Sequence, residues 1–388
     1  MKIVKILFAL AVLFLISSPD NISPVQGFIP NDPEGDPWHL DTIGIYSVWD
    51  HGYDFRSTPG AVGLCIIGYP IINDQNGDLN ITEKASFAWN SDFTSYLPYP
   101  SEYANSHEAS IASIAASTIN NSKGVAGIVN APLYTAWPWG HYPDDDFEFN
   151  RMYLQQLIDI FDWCSSFGKV VISMSFIAHA DALEITDPVL IELQSKVSEL
   201  YESGKTLFFA ASGNYLGPLY PADIPQSLPF TRVVGRINRG GLYESGGYGT
   251  NLFLVAPAGV PAYDQTSDSY GVFGGASCSA PIVAASAALL WNQFPWASNM
   301  QIEDALCQGA TDILDSGWDE KSGFGILNVE KSRCYLIDNS SSSNSCELSS
   351  KIGTDEAFSA TSGFRLSDVA FTAIASLIIL AILIKRRN

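Results

Sequence analysis

The sequence has few basic residues: 20 Lys and Arg stand against 41 Asp and Glu among 388 residues, a formal net charge of −21. Such a surface cannot neutralise a phosphate backbone, which excludes nucleic acid as a partner. The six cysteines show no spacing typical of a zinc site. The chain also contains no internal repeats, which excludes a repeat array.

Apolar and aromatic residues, by contrast, are plentiful. The sequence is 47% hydrophobic and 12% aromatic, with nine Trp and seventeen Tyr. A chain with this composition is not disordered and can bury a sizeable core. Its length suits one large domain or two ordinary ones.

Both ends of the chain are hydrophobic. A short basic segment precedes an apolar run over residues 6–16, which predicts a signal peptide over residues 1–27, with a transmembrane helix as the alternative. Residues 369–384 form a second apolar run without charges. This run predicts a transmembrane anchor over residues 366–384 and a basic cytoplasmic tail over residues 385–388. We therefore expect the body on the extracellular face of the membrane, unless the C-terminal run is a sorting tail that is removed when another anchor is attached.

Between these ends the sequence predicts one globular domain over residues 28–336 and a Ser-rich stalk over residues 337–365. Strands and helices alternate in the domain, which is typical of a parallel sheet covered on both faces, with working residues at the carboxyl ends of the strands. Strands are predicted at 61–67, 133–137, 170–175, 206–211, 231–235 and 252–256, and helices at 42–50, 107–116, 150–166, 187–203, after 277 and at 299–309.

The cysteines suit an exported chain, where disulfides form. Cys65 lies in an apolar run and Cys278 follows a serine, so both are predicted to be buried thiols. Three cysteines fall near the end of the domain, and the preferred pairing there is Cys307 with Cys334.

One stretch indicates catalysis. Residues 274–281 read Gly-Gly-Ala-Ser-Cys-Ser-Ala-Pro and precede an alanine-rich apolar run of helical length. A serine at such a helix start lies near free N–H groups and the positive end of the helix dipole. This position suits a nucleophile whose reaction builds an oxyanion, although a small-residue cap on a buried helix is the alternative.

Several stretches, in this order, resemble the subtilisin-like serine peptidases. Residues 106–112 are similar to the family's G-H-G-T-H-V-A, residues 120–127 to N-N-S-x-G-V-x-G, residues 211–214 to A-A-G-N, residues 275–281 to G-T-S-M-A-x-P and residues 323–328 to the closing G-Y-G-x-V-N. The resemblance covers roughly residues 36–335. It implies a three-layer α/β/α subtilisin-like fold with a mainly parallel seven-stranded sheet.

The resemblance also implies an endopeptidase that acts on polypeptide substrates and needs no cofactor for its chemistry. Ser277 is then the nucleophile, His107 the general base and Asn214 a donor to the oxyanion. The family further implies a structural calcium ion held by Asp78 and Asn121, since residues 74–78 alternate oxygen ligands as calcium loops do. A solvated Asx-turn is the alternative there.

The main departure from the family concerns the third member of the triad. The family's V-x-V-A-V-I-D-T-G-I aligns with residues 62–71, so that Gly68 stands at the position of the triad aspartate. That carboxylate fixes the tautomer of the histidine. Its loss alone costs about 3 × 10⁴ in kcat in a subtilisin, so an impaired peptidase is expected unless another carboxylate substitutes.

Three carboxylates lie nearby in the sequence: Asp74, Asp78 and Glu108. Glu108 directly follows His107 and would point about 100° away from it on a helix, which makes it a poor fit. Asp74 could reach into the space that the glycine leaves.

Other departures favour a second function, an inactive pseudo-peptidase that binds peptides or a protein partner. The family's second histidine is Ser110 here, and its S-L-G-G reads Ser-Phe-Ile-Ala over residues 175–178, so Ile177 replaces a glycine against which the peptide packs. A rigid surface-layer component is a third possibility. The related sedolisin-like arrangement fails, because Ala112 and Asn214 stand where it expects acids.

Overall fold

The computed structural model describes residues 28–50, 61–71, 77–90, 94–99, 105–138, 146–179, 183–184, 186–215, 217–219, 223–241 and 246–340. The helices are α1 (Trp38–Thr42), α2 (Ile45–Asp50), α3 (Ser106–Ala116), α4 (Asp146–Ser165), α5 (Pro188–Glu202), α6 (Ala276–Gln293), α7 (Asn299–Gly309) and α8 (Val329–Asp338). The strands are β1 (Gly63–Ile67), β2 (Ile81–Ser86), β3 (Leu133–Trp137), β4 (Val170–Met174), β5 (Ala178–His179), β6 (Thr206–Ala211), β7 (Gly217–Pro218), β8 (Asp223–Ile224), β9 (Thr231–Ile237), β10 (Gly247–Tyr248), β11 (Leu252–Pro257), β12 (Val260–Asp264) and β13 (Ser269–Phe273).

The core of the domain is a seven-stranded sheet with the order β11-β9-β6-β4-β1-β3-β2. Every pairing in it is parallel, which confirms the predicted sheet. Strands β1, β3, β4, β6 and β11 are buried at every position. Their unbroken apolar sequences follow from this, because both faces of a parallel sheet are covered.

The long helices form two groups. Helix α3 packs against α6, and α6 also contacts five strands of the sheet, while α4 and α5 pack against each other and contact β4 and β6 respectively. Two helix groups around a sheet that is buried on both faces make three layers. The small residues of α6, nearly all with no exposed surface, allow this helix to lie close to the strands.

Three differences from the predicted elements have local causes. The predicted helix at 42–50 is two short helices, because Gly44 adopts a φ of 68° between them. Strand β2 is an edge strand with exposed polar residues at its centre, so its sequence lacks an apolar signal. Strands β12 and β13 form an antiparallel hairpin, and β12 packs on α3.

The cysteine predictions are wrong in two places. Cys65 is not a thiol: it forms a disulfide with Cys164 of α4, across a Cα–Cα distance of 6.2 Å. The 99 residues between them leave no spacing signal in the sequence. Cys307 and Cys334 are both free, the first buried and the second exposed, so the preferred pairing does not form. Cys278 is buried and forms no disulfide with a described residue, as predicted.

Helix α8 runs to Asp338 and so enters the segment predicted as a stalk. The stalk from residue 341 onwards, the predicted signal peptide, the anchor and the basic tail lie outside the described residues. Among the helices of the described ranges, none has the length and apolar character needed to cross a bilayer.

Candidate active site

Ser277 lies in the first turn of α6, between the fully buried Ala276 and Cys278. The helix is capped by Gly275, whose φ is 84°, and a Cβ there would lie 2.7 Å from Oδ1 of Asn214. Only glycine therefore suits this position. The hydroxyl of Ser277 is half-buried and donates a long hydrogen bond of 3.4 Å to the carbonyl of Ser175, at the end of β4.

Asn214 follows β6 and is tied to the start of α6. The N–H of Ala276 donates to Oδ1 of Asn214 at 2.9 Å, and Nη1 of Arg236 donates to the same oxygen at 3.3 Å. Both partners are donors only, so the atom that faces them is an oxygen. Nδ2 of this exposed side chain makes no hydrogen bond with a described residue and is available as a donor.

His107 is the second residue of α3 and lies beside the β12–β13 hairpin. Its backbone N–H donates to the capping side chain of Asn105 at 2.9 Å. The ring is packed edge-on against Phe273 with 5.4 Å between centroids. Its side chain is 35% exposed, so part of the imidazole is accessible to solvent.

The surroundings of Nδ1 of His107 correct the prediction that Glu108 is a poor fit as the partner of the histidine. Oε1 of Glu108 lies 2.8 Å from Nδ1 of His107. The two side chains leave the helix in different directions, but the glutamate has enough rotatable bonds to turn its carboxylate back to the ring. Glu108 is buried, 3% exposed, and its carboxylate fills the space beside Gly68, where a Cβ would lie 2.5 Å from Cδ of Glu108.

Of the other two carboxylates considered from the sequence, only Asp78 is among the described residues, and it does not contact the histidine. Asp78 lies elsewhere, where its Oδ1 accepts from Nδ2 of Asn121 at 2.9 Å and its Oδ2 from the hydroxyl of Tyr270 at 3.4 Å. Asp74 is outside the described residues.

The predicted calcium pair does not suit a cation as it is arranged. Asn121 turns its NH₂ group towards Asp78, and its Oδ1 accepts from the N–H of Lys123 at 2.9 Å. Burial raises the pKa of Asp78 to about 6, although the bond from Asn121 opposes this. Calcium prefers several converging oxygen atoms, whereas N–H and O–H donors surround this carboxylate. The described residues also contain no cluster of three His, Cys, Asp or Glu side chains that could hold a metal.

Ile177 lies beside Gly213, the residue that precedes Asn214. A Cβ on Gly213 would lie 2.8 Å from Cδ1 of Ile177. Gly213 has a φ of 83°, so this glycine is needed both for its backbone conformation and for the room it leaves. Residues 175–178 and 211–214 therefore approach each other closely at this point.

Ser175, Asn214 and Gly68 follow β4, β6 and β1, which are neighbours in the sheet. Their contacts with the start of α6 and with Glu108 place Ser277 and Glu108 at the edge of the sheet where these parallel strands end.

Sequence reasoning misjudged Glu108 and missed two other contributors. These are Arg236, which donates to the amide oxygen of Asn214, and Ser175, whose hydroxyl donates to the backbone carbonyl of Ser277 at 3.0 Å. Only Glu108 had a readable signal, an acid next to the histidine combined with a glycine where an acid is expected.

The chain is similar in sequence and in fold to known proteins. The model of the Subtilase family matches residues 48–325. The chain is 27% identical over 298 residues to Subtilisin NAT of Bacillus subtilis subsp. natto, covering 76% of this chain and 70% of the relative. Among solved structures it resembles the psychrophilic subtilisin-like protease Apa1 of Pseudoalteromonas sp. AS-11, with a TM-score of 0.59, 15% identity and coverage of 78% of this chain and 98% of the other. MycP1 of Mycobacterium smegmatis gives a TM-score of 0.61 and 17% identity, with coverage of 79% and 87%.

The chain therefore belongs to the Subtilase family of serine peptidases. The predicted subtilisin-like α/β fold is confirmed with it.

Proposed function

We propose that this protein is a serine endopeptidase in which Ser277 is the nucleophile, His107 the general base and Asn214 a donor to the oxyanion. The observation that carries the proposal is the hydrogen bond of 2.9 Å between the N–H of Ala276 and Oδ1 of Asn214. It fixes a side-chain N–H donor next to the residue that precedes the serine, where charge develops on a carbonyl oxygen under attack.

These proposed roles imply the following steps. Oγ of Ser277 leaves its long bond to Ser175 and attacks the peptide carbonyl while its proton passes to Nε2 of His107. The carbonyl oxygen becomes an oxyanion and accepts from Nδ2 of Asn214 and from the free N–H of Ser277 at the positive end of α6. His107 then gives the proton to the leaving nitrogen as the C–N bond breaks, and water hydrolyses the acyl-enzyme by the same route in reverse. No step uses a metal or a cofactor.

A fluorophosphonate probe tests the nucleophile directly. We expect one probe per folded chain and none on the Ser277→Ala variant. Ser267→Ala, which changes an exposed serine of the β12–β13 turn, is the matched control and should be labelled like the wild type. If the folded wild type stays unlabelled over hours, or if Ser277→Ala labels equally, the proposal is wrong.

The substitution at Ile177 favours a second candidate, a pseudo-peptidase that holds peptides without cleaving them. By resemblance to the family, Ile177 replaces a glycine against which a bound peptide packs. For this function we expect binding of unfolded polypeptide, measured by fluorescence anisotropy, without labelling by the probe. Labelling that depends on Ser277 rejects it.

We further propose that the domain is exported and displayed on the extracellular face of a membrane, with the C-terminal helix as its anchor. The two apolar terminal runs support this, as does the Cys65–Cys164 disulfide, because disulfides persist in oxidising compartments. In intact cells that express the full chain, an added protease should cut the domain from the membrane fraction. A domain that is protected until the cells are lysed would contradict the proposal, and release after cleavage of a lipid anchor would identify a sorting tail instead.

A further inference from the structure

The contact between His107 and Glu108 has the geometry of a charge-assisted hydrogen bond. The 2.8 Å between Nδ1 and Oε1 lies within the usual range for such bonds. An ionised carboxylate can only accept, so Nδ1 carries the hydrogen and Nε2 presents its lone pair. This is the tautomer that a general base needs in order to take a proton from a serine.

The burial of Glu108 gives the contact an electrostatic role. The side chain is 5% exposed, and its Oε2 has no hydrogen-bond partner among the described residues. A buried carboxylate is costly unless a cation is near. The imidazolium that forms during catalysis is such a cation, and their attraction is stronger here than in water because the surroundings are of low dielectric.

Gly68 explains why the carboxylate can reach this place. It follows the last residue of β1, and any Cβ on it would overlap the carboxylate of Glu108, at 2.5 Å from Cδ and 2.6 Å from Cγ. An aspartate at position 68 and a glutamate at position 108 therefore cannot coexist in these conformations.

The same two positions differ from the family's motifs in opposite directions. The family carries an aspartate at the position of Gly68 and, in G-H-G-T-H, a glycine at the position of Glu108. In this chain the acid stands after the histidine and the glycine at the end of the strand. The acid and the glycine are thus exchanged between two positions that touch each other.

We infer that Glu108 is the positioning residue of the triad, replacing the aspartate of the family, and that Gly68 is the glycine that makes room for it. This inference rests on the proposed peptidase function. It removes the reason for expecting an impaired enzyme, because His107 has a carboxylate partner after all.

The first test is Glu108→Gln, which keeps the shape of the side chain and removes its charge. An amide can donate to Nδ1 and so stabilise the wrong tautomer, and the corresponding change in a related triad lowers kcat by about 10⁴. We expect a loss of about this size with KM within about threefold of the wild type. The melting temperature should stay the same or rise, since a buried charge is removed. Glu83→Gln, on the exposed edge strand β2, is the matched control and should retain full activity.

The second test restores the family's arrangement. Gly68→Asp alone should lower both the melting temperature and kcat, because the new side chain overlaps Glu108. The double variant Gly68→Asp/Glu108→Gly should recover kcat to within about 10²-fold of the wild type, since one carboxylate again faces His107.

The outcomes separate the inference from the function on which it rests. A wild type whose turnover does not depend on Ser277 refutes the peptidase proposal itself. An active wild type together with a Glu108→Gln variant that keeps more than a tenth of kcat refutes only the role of Glu108. A folded double variant as inactive as Glu108→Gln refutes the exchange with Gly68.

Discussion

Asn214 offers the sharpest quantitative prediction about the oxyanion. In Asn214→Ala the donor Nδ2 disappears, while Ser277, His107 and Glu108 remain in place. Because Ala276 and Arg236 hold Oδ1 at 2.9 and 3.3 Å, the amide does not need to reorient during the reaction. The loss of one such preorganised donor costs about 10² to 10³ in kcat, or about 2.7–4 kcal/mol.

The assay is steady-state hydrolysis of a chromogenic peptide, with kcat and KM measured separately. The loss should fall almost entirely on kcat, because the donor acts on charge that is present only in the transition state. Asn214→Asp should be at least as slow: it keeps an acceptor for the N–H of Ala276 but puts a negative charge where the oxyanion forms. Both variants should melt within a few degrees of the wild type, since Asn214 is exposed.

Arg236→Ala is the matched control. It removes the longer of the two bonds to Oδ1 and leaves the shorter one, so kcat should change by less than about fivefold. The reasoning is refuted if Asn214→Ala keeps its kcat, if its effect lies in KM, or if Arg236→Ala is as damaging as Asn214→Ala.

Two further predictions concern specificity and pH. Ile177→Gly should make room for a bound peptide. It should raise kcat/KM for a peptide with Phe before the scissile bond, relative to one with Ala, by about tenfold. Ile177→Val should give a ratio between those of the wild type and Ile177→Gly, and an unchanged ratio contradicts contact between Ile177 and the peptide. Burial, with a smaller contribution from Glu303, raises the pKa of Asp304 from 3.8 to about 6. The folded state therefore binds this proton more tightly than the unfolded state. The free energy of unfolding should consequently fall as the pH rises from about 4 to about 7. Asp304→Asn keeps an acceptor for Tyr335 and should remove this fall, which amounts to at most about 3 kcal/mol. Denaturant unfolding at both pH values measures the free energy of unfolding, and an equal change with pH in the wild type and the variant would contradict the prediction.

The core strands could be predicted because each consists of a short apolar run. Strands β3 and β6 and helix α7 have the bounds read from the sequence. Their residues are buried on all sides or along one clear face, so composition alone identifies them. The β12–β13 hairpin was missed because β13 is largely exposed, and its sequence has no pattern that separates it from a loop.

The residues of the site could be predicted only where they lie within a recognisable motif. Ser277, His107 and Asn214 lie in short stretches that resemble the family, whereas the disulfide partner of Cys65 lies on a different element, 99 residues away. Glu108 was visible but misjudged. A helical projection gives the direction in which a side chain starts, and it does not show where a long side chain ends or that Gly68 leaves a space for it.

The overlap between Gly68 and Glu108 also restricts how such a sequence can arise. The family has Asp at position 68 and Gly at position 108, whereas this chain has Gly and Glu. Only two intermediates differ from each arrangement by a single substitution. One has glycine at both positions and leaves the imidazole without a carboxylate, and the other has two acids that compete for one volume. If Glu108 has the role inferred above, each intermediate loses something that its parent has: the first loses the partner of His107, and the second loses the close packing beside position 68. We therefore expect a paired change to connect the two arrangements more readily than either single change.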